Sequence, residues 1–535
     1  MKQKLGILFS VLLVLILVLT GYGDSFWHHL DNTLGGGQEV AYRDMQYTRP
    51  DLAQLQQVLQ DSVMAVSHAE NLEQTLQAVY DFNSAYDDYV TNYNLADIRY
   101  SADLTDAYWQ EEYGFCSENL SVANSSLDEL YRALADSPFR EELEQEDYFG
   151  DGFFDAYEGE SYWDEGFLAL TQREADLQAQ YYALSEEALA EPYYSEAYFT
   201  RYGSRMAQIY VDLIGVRQEM AAYLGYGSYP EFAYDFYHYR DYTPKQAVSY
   251  LEEIGRELVP LYRQVNGAMD WSYSQCSTEQ TFQYVKNAAG KMGGSVQEAF
   301  ACLDRLGVYD ISPGEHKYNS SFEVYLNSYS VPFVFLNPSM DSGDQLTFAH
   351  EFGHFCNDYV CGGSYAGTDV AEVHSQAMEY LSLCLTPDAG ELETRKLADC
   401  LYLYVEQAAY SLFEHQVYSL TGDELTVENV QALYESICLD YGFDAWSFDS
   451  RDFCTITHLY TAPLYMVSYV TSNDLAFQLY QMEKETPGSG VEVYKKCLQS
   501  QDTYLLAFAQ AYGLEDPMTA QRVRQVRQTL ETLFG

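Results

Sequence analysis

The run Leu346–Cys356, LTFAHEFGHFC, constrains this chain more than any other, because it sets His-Glu-x-x-His inside a helical apolar pattern. Leu346, Ala349, Phe352, Cys356 and Tyr359 recur at steps of three and four, the spacing of a helix with one buried stripe. On that helix His350 and His354 stand one turn apart on one face, so both imidazoles can reach one metal ion. Glu351 is rotated by about 100° from His350. It therefore flanks the ion, where a carboxylate can take a proton from zinc-bound water. The plain alternative is a buried helix with two satisfied histidines. With only 10 His in 535 residues, composition alone seldom produces the motif.

A third ligand must come from elsewhere. One zinc-protease subclass carries a histidine six residues beyond the second one, and Val360 stands there instead. Downstream, Asp369–Tyr380 (DVAEVHSQAMEY) is free of Gly and Pro and compatible with a helix. Glu372 is the candidate third ligand. Asp369 and Glu379 lie about one turn before and two turns after it, on nearly the same face, and suit outer-shell bonds to the ligand imidazoles. His374, two residues on from Glu372, points elsewhere on the helix. Two imidazoles and one carboxylate leave a zinc position open, which is the catalytic rather than the structural arrangement.

His350-Glu351-Phe352-Gly353-His354, followed by Asp369-x-x-Glu372-x-x-Ser375-x-x-x-Glu379, resembles the thimet oligopeptidase and oligoendopeptidase F family of zinc peptidases. The resemblance implies one zinc ion per chain, with Glu372 as third ligand. It departs at His374, where the family usually has Pro. A weaker likeness covers Ile209–Tyr226, similar to a helix pair opening the family's catalytic domain. A third covers His458–Tyr469 (HLYTAPLYMVSY), where the family has a His and Tyr residues that face the zinc and bind the transition state. His458 matches the leading histidine, and Tyr469 and Tyr465 match the tyrosines. The spacing is shifted by one residue, and Val467 and Ser472 replace an expected Tyr and Gly, so both tyrosines stay candidates. The implied fold is mainly α: a large helical zincin-type peptidase with a small antiparallel sheet beside the active-site helix and a deep substrate cleft.

The rest of the chain frames that reading. Lys2 and Lys4 precede the apolar run Leu5–Leu19, so residues 1–23 are expected to be a signal peptide or signal anchor, with the body exported or held on the outer face of the cytoplasmic membrane. Residues 24–50, with Gly35-Gly36-Gly37, read as a linker, 51–190 as an N-terminal helical subdomain, and 191–535 as the catalytic domain. The acidic, aromatic stretch Glu141–Gly166 reads as a loop with its rings packed down on the body. Two strands are expected before the HExxH helix, Phe322–Asn327 and Val331–Asn337, the second an edge strand because of Pro332. Ser342 with Gln345 offers a capping box for that helix. Ten cysteines without any Cys-x-x-Cys, several in apolar contexts such as Leu383-Cys384-Leu385, read as mostly free, buried thiols.

Composition narrows the partners. With 81 acidic against 28 basic residues the net charge is −53, which argues against nucleic acid and anionic lipid surfaces. Short peptides are the expected substrates of a zinc-dependent endopeptidase. Two alternatives stand beside it: a zinc-containing peptide-binding surface protein, and a thermolysin-like protease acting on larger proteins.

Overall fold

The structure is a computed structural model that describes residues 39–534, except 146–148, 151, 158–163, 189–190, 192–194, 267–272, 364–366, 388–389, 444–447 and 501. The signal or anchor expected at 1–23 and the Gly35–Gly37 run lie outside the described residues. Among the described residues no helix is long and apolar enough to cross a membrane. The chain is mainly helical and divides into two compact units, each assembled from separated stretches.

The first unit comprises Met1–Ser161, Tyr273–Tyr365 and Tyr494–Gln501. Asp51 caps the helix Leu52–His68 by accepting from the N–H groups of Ala53 and Gln54. Leu55, Leu59, Ser62 and Val66 then fall on one buried face, spaced four, three and four residues apart. That face meets the helices Leu72–Ala102 and Leu120–Ala135 around Phe82, Tyr86, Leu130 and Leu134. Truncating Phe82 to Ala in such a core costs about 3–5 kcal/mol. Phe149, Phe153, Phe154 and Tyr157 pack against Tyr131 and each other, as expected for the 141–166 aromatics. Residues 39–50 make contacts within this unit. Met45 is buried, Arg99 donates to its carbonyl, and the Tyr47 hydroxyl donates to Glu112.

Three strands form the sheet of this unit: β1 (Tyr309–Asp310), β2 (Ser321–Leu326) and β3 (Val331–Leu336), in the order β1-β3-β2. The sheet is mixed, since β1 joins β3 in parallel and β2 joins it antiparallel. This corrects two expectations, an antiparallel sheet and an edge position for the strand carrying Pro332. β3 is central, yet its proline breaks no ladder bond. The N–H of Val334 points away from β2 to the Val308 carbonyl, so the nitrogen of Pro332, two residues earlier, faces the same side. β1 pairs only with Val334 and Phe335 and never reaches that level. The outer strand is β2, and the Asn94 amide donates to its Tyr325 carbonyl.

The HExxH helix spans Asp344–Cys361 and packs on β2, β3 and the helix Thr278–Met292. The expected Ser342 cap is not used. Its start is fixed instead by the Asp344 carboxylate, which accepts from the backbone N–H groups of Ser339, Met340 and Asp341. It ends at Gly362, left-handed at φ 76°, whose N–H returns to the Asp358 carbonyl.

The second unit comprises Tyr162–Ser272, Ala366–Val493 and Asp502–Gly535. Its centre is a pair of helices, Thr368–Leu385 and Met466–Glu485, buried almost all round. Ser472, at the expected glycine position, fits there by bonding inward: it donates to the Ser468 carbonyl and accepts from the Gln376 amide. The helices Pro244–Asn266 and Gly390–Val417 flank the pair. Arg522 is held inside by a buried ion pair with Asp474, to which the Tyr404 hydroxyl also donates at 2.9 Å. None of the ten cysteines is disulfide-bonded, and eight of them are buried.

Candidate active site

Helical spacing brings the rings of His350 and His354 to 5.0 Å between centroids, at 77° to one another. Glu351 is buried, and Oγ of Ser321 on β2 donates to its Oε1 at 2.7 Å. That serine escaped the sequence reading, since nothing local marks a strand residue thirty positions upstream. Along the same helix and strand, Glu323 and Asp358 form a second carboxyl contact. Burial and the charges of Asp358 and Glu351 push Glu323 well above the usual carboxylate range, so it keeps its proton and donates to Asp358. Burial pushes Asp358 itself up to about 7, with the Glu323 bond opposing the rise.

Glu372 sits on the Thr368–Leu385 helix and is only 4% exposed. Its carboxylate is oriented by two donors, the Tyr465 hydroxyl to Oε1 at 2.7 Å and Oγ of Ser375 to Oε2 at 3.1 Å. One ligand atom from each of His350, His354 and Glu372 lies within 4.8 Å of the others. A tetrahedral zinc ion with bonds of about 2.0–2.1 Å needs its ligand atoms about 3.4 Å apart. The donor set, two imidazoles and one carboxylate, is the one zinc takes in open sites.

The structure separates the two candidate tyrosines. Tyr465 is the residue bonded to Glu372, and burial followed by the Glu372 charge pushes its phenol well above its ordinary value, so it stays a neutral donor. Tyr469 lies one turn further on, its ring 5.1 Å from that of Tyr465, with its hydroxyl 3.3 Å from Nε2 of His458. Burial pushes His458 down to about 4, so this imidazole is neutral at pH 7.

One outer residue differs from expectation. Asp369 does not hold a ligand imidazole. Its carboxylate takes the Tyr242 hydroxyl at 2.6 Å, Nε of Arg240 at 3.3 Å and the Ser468 hydroxyl. Those partners lie about 100 or more residues away in sequence; a charged and aromatic run, His238-Tyr239-Arg240-Asp241-Tyr242, was the only local hint. Glu379 pairs with the buried Lys396 at 2.7 Å. His374 is buried edge-on against Phe508 and burial pushes it down to about 3, the setting of a packed neutral ring.

Residues 42–161 match the Peptidase M3 N-terminal domain. A curated relative, an oligoendopeptidase F homolog of Borreliella burgdorferi, is 25% identical over 189 residues, which spans 32% of this chain and 32% of that protein. The chain thus aligns with about a third of that relative's length. Solved structures extend the likeness of fold. One assigned as oligoendopeptidase F matches with a TM-score of 0.81 at 22% identity, covering 93% of this chain and 99% of its own. PZ peptidase A, solved with an inhibitor, gives 0.80 at 19% identity over 92% and 98%. A Bacillus anthracis protein assigned as oligoendopeptidase F gives 0.78 at 21% identity over the same shares. Residues 42–161 thus match the Peptidase M3 N-terminal domain, on a chain with the fold of the oligoendopeptidase F structures.

Proposed function

We propose that this protein is a zinc-dependent endopeptidase that hydrolyses oligopeptides. The observation that carries the reading is the convergence of His350, His354 and Glu372, with Glu351 next to a ligand but outside the ligand set. The match to the Peptidase M3 N-terminal domain and the fold it shares with oligoendopeptidase F structures support a peptidase, and the donor set supports zinc.

His350, His354 and Glu372 would hold the ion. When bound, zinc supplies Lewis-acid polarisation of a peptide carbonyl and acidifies water. Glu351 accepts the proton of the attacking water and returns it to the leaving amine. Its bond from Ser321 keeps the carboxylate in one rotamer while it waits. Tyr465 has its hydroxyl committed to Glu372, so its role is to orient that ligand. Tyr469, backed by neutral His458, is the donor for the carbonyl oxygen as it gains charge, a contribution of about 3 kcal/mol. β2, the outer strand of the sheet, is the strand beside which an extended peptide would lie, which gives affinity without strong side-chain selection. Residues 1–23 are proposed to export the enzyme or anchor it outside the cytoplasm.

Quenched fluorescent peptides of graded length, with and without a zinc chelator, test the proposal. Hydrolysis of short peptides that stops with chelator and returns with zinc is expected. Zinc binding without hydrolysis would instead favour a peptide-binding protein, and cleavage of folded proteins a thermolysin-like protease.

A further inference from the structure

Leu464 is one of four non-glycine residues at positive φ among the described residues, at 64°. A branched L side chain rarely adopts this conformation, so the surroundings must hold it. Two groups do. Its N–H donates to Oε1 of Glu414 at 2.6 Å, and its carbonyl accepts from Nη2 of Arg240 at 2.9 Å. The preceding Pro463 carbonyl accepts from Nε2 of His238 at 2.8 Å. The residue that follows is Tyr465, whose hydroxyl meets Glu372. Arg240 also reaches Asp369, on the helix that carries Glu372, and Oγ of Ser468, one turn into the helix that follows Tyr465.

Glu414 has no other visible task. It is fully buried on the Gly390–Val417 helix, and among the described residues its Oε2 has no hydrogen-bond partner and no cation bonds to it. A buried carboxyl group with one bond is a costly choice of core residue, where Leu or Met would fill the space. Burial pushes it up to about 8 despite the Leu464 bond and the charges of Arg217 and Arg240, so it sits there largely protonated at neutral pH. Its acceptor oxygen serves the Leu464 N–H in either state.

We propose that Glu414, with Arg240 opposite it, is a positioning residue that clamps the Leu464 peptide in its left-handed turn and so sets the Tyr465 hydroxyl against Glu372. The proposal rests on the reading of Glu372 as a zinc ligand, and its test is arranged to separate the two.

The full chain is compared as wild type, Glu414→Gln, Glu414→Leu and Tyr465→Phe, and with the last two combined. Gln keeps the acceptor for Leu464, and Leu removes it without opening a large cavity. At limiting zinc, Glu414→Leu is expected to lower turnover about tenfold or more with KM within about threefold, whereas Glu414→Gln stays within about twofold. Added to Tyr465→Phe, Glu414→Leu should cost less than about a further twofold, because its route to the site is already gone. Chelator-competition titration should give Glu414→Leu the same direction of loss in zinc affinity as Tyr465→Phe. Hydrogen exchange of the 458–468 segment should accelerate in Glu414→Leu and not in Glu414→Gln. Equal losses in Gln and Leu, full additivity with Tyr465→Phe, or unchanged exchange in Glu414→Leu would each overturn the clamp. A wild-type chain without peptidase activity would overturn the functional reading, and the exchange and zinc arms would still decide the clamp.

Discussion

Replacing Tyr465 with Phe removes one hydroxyl and leaves the ring that packs near Tyr469 and His458. The lost interaction is a single hydrogen bond of 2.7 Å to a carboxylate that is 4% exposed, from a phenol that is itself buried. Hydrogen bonds to ionised acceptors contribute about 1.5–3 kcal/mol, and water has little access here to replace the donor. That range corresponds to a factor of about 10–150 in an equilibrium constant. Because Glu372 is a ligand in the proposed site, the loss should appear in zinc affinity, in line with the 10–100-fold (about 1.4–2.7 kcal/mol) that oriented outer partners typically supply. Chelator competition at pH 7.5 measures it directly. Turnover with saturating zinc should fall less than affinity does, since excess metal restores occupancy. Tyr469→Phe should do the opposite: zinc affinity unchanged, kcat lower by about a hundredfold, KM within about threefold. A Tyr465→Phe enzyme with wild-type zinc affinity and a hundredfold lower kcat would refute the division of roles drawn from these bonds.

Three other outcomes follow from the same geometry. Glu351→Gln should retain zinc and fold but lose at least about a thousandfold in turnover, measured with a quenched peptide; near-wild-type hydrolysis would remove Glu351 from the proton path. Asp358→Asn should flatten the pH dependence of stability, because a carboxyl whose folded pKa is raised to about 7 loses stability as pH rises from the unfolded value near 4 through 7. Denaturant unfolding at pH 5 and pH 8 should show the substitution gaining more than about 1 kcal/mol at the higher pH, and no difference between the two pH values would count against the carboxyl pair. Fractionation of the native full-length protein should place it with exported or membrane material, and its recovery in the cytoplasm would refute the reading of residues 1–23.

The two helices that carry the proposed ligands were legible because their signals are local: His350 and His354 one turn apart, and Glu372 in a run free of helix breakers. What failed depended on partners distant in sequence. β3 was read as an edge because Pro332 usually marks one, and the two-residue β1 that makes it central has no periodicity to detect. Asp369 was given an imidazole because Arg240, Tyr242 and Ser468 cannot be placed around it from spacing alone. Tyr465 and Tyr469 are one helical turn apart, so spacing put both near the site and only geometry told which one meets Glu372. The cap at Ser342 lost to Asp344, which answers three backbone donors at once where a serine would answer one.

The ten unbonded thiols have a use beyond packing. Six lie in the first unit, including Cys116, Cys302 and Cys356, and four in the second, Cys384, Cys400, Cys438 and Cys454. A buried thiol meets an alkylating reagent only when its surroundings open, so the labelling rate at each cysteine reports the opening free energy of its own neighbourhood. Cys356 would follow the HExxH helix and Cys400 the helix that carries Glu414. One alkylation time course, read by mass spectrometry, would thus give separate stabilities for the two units in the native chain without an engineered probe.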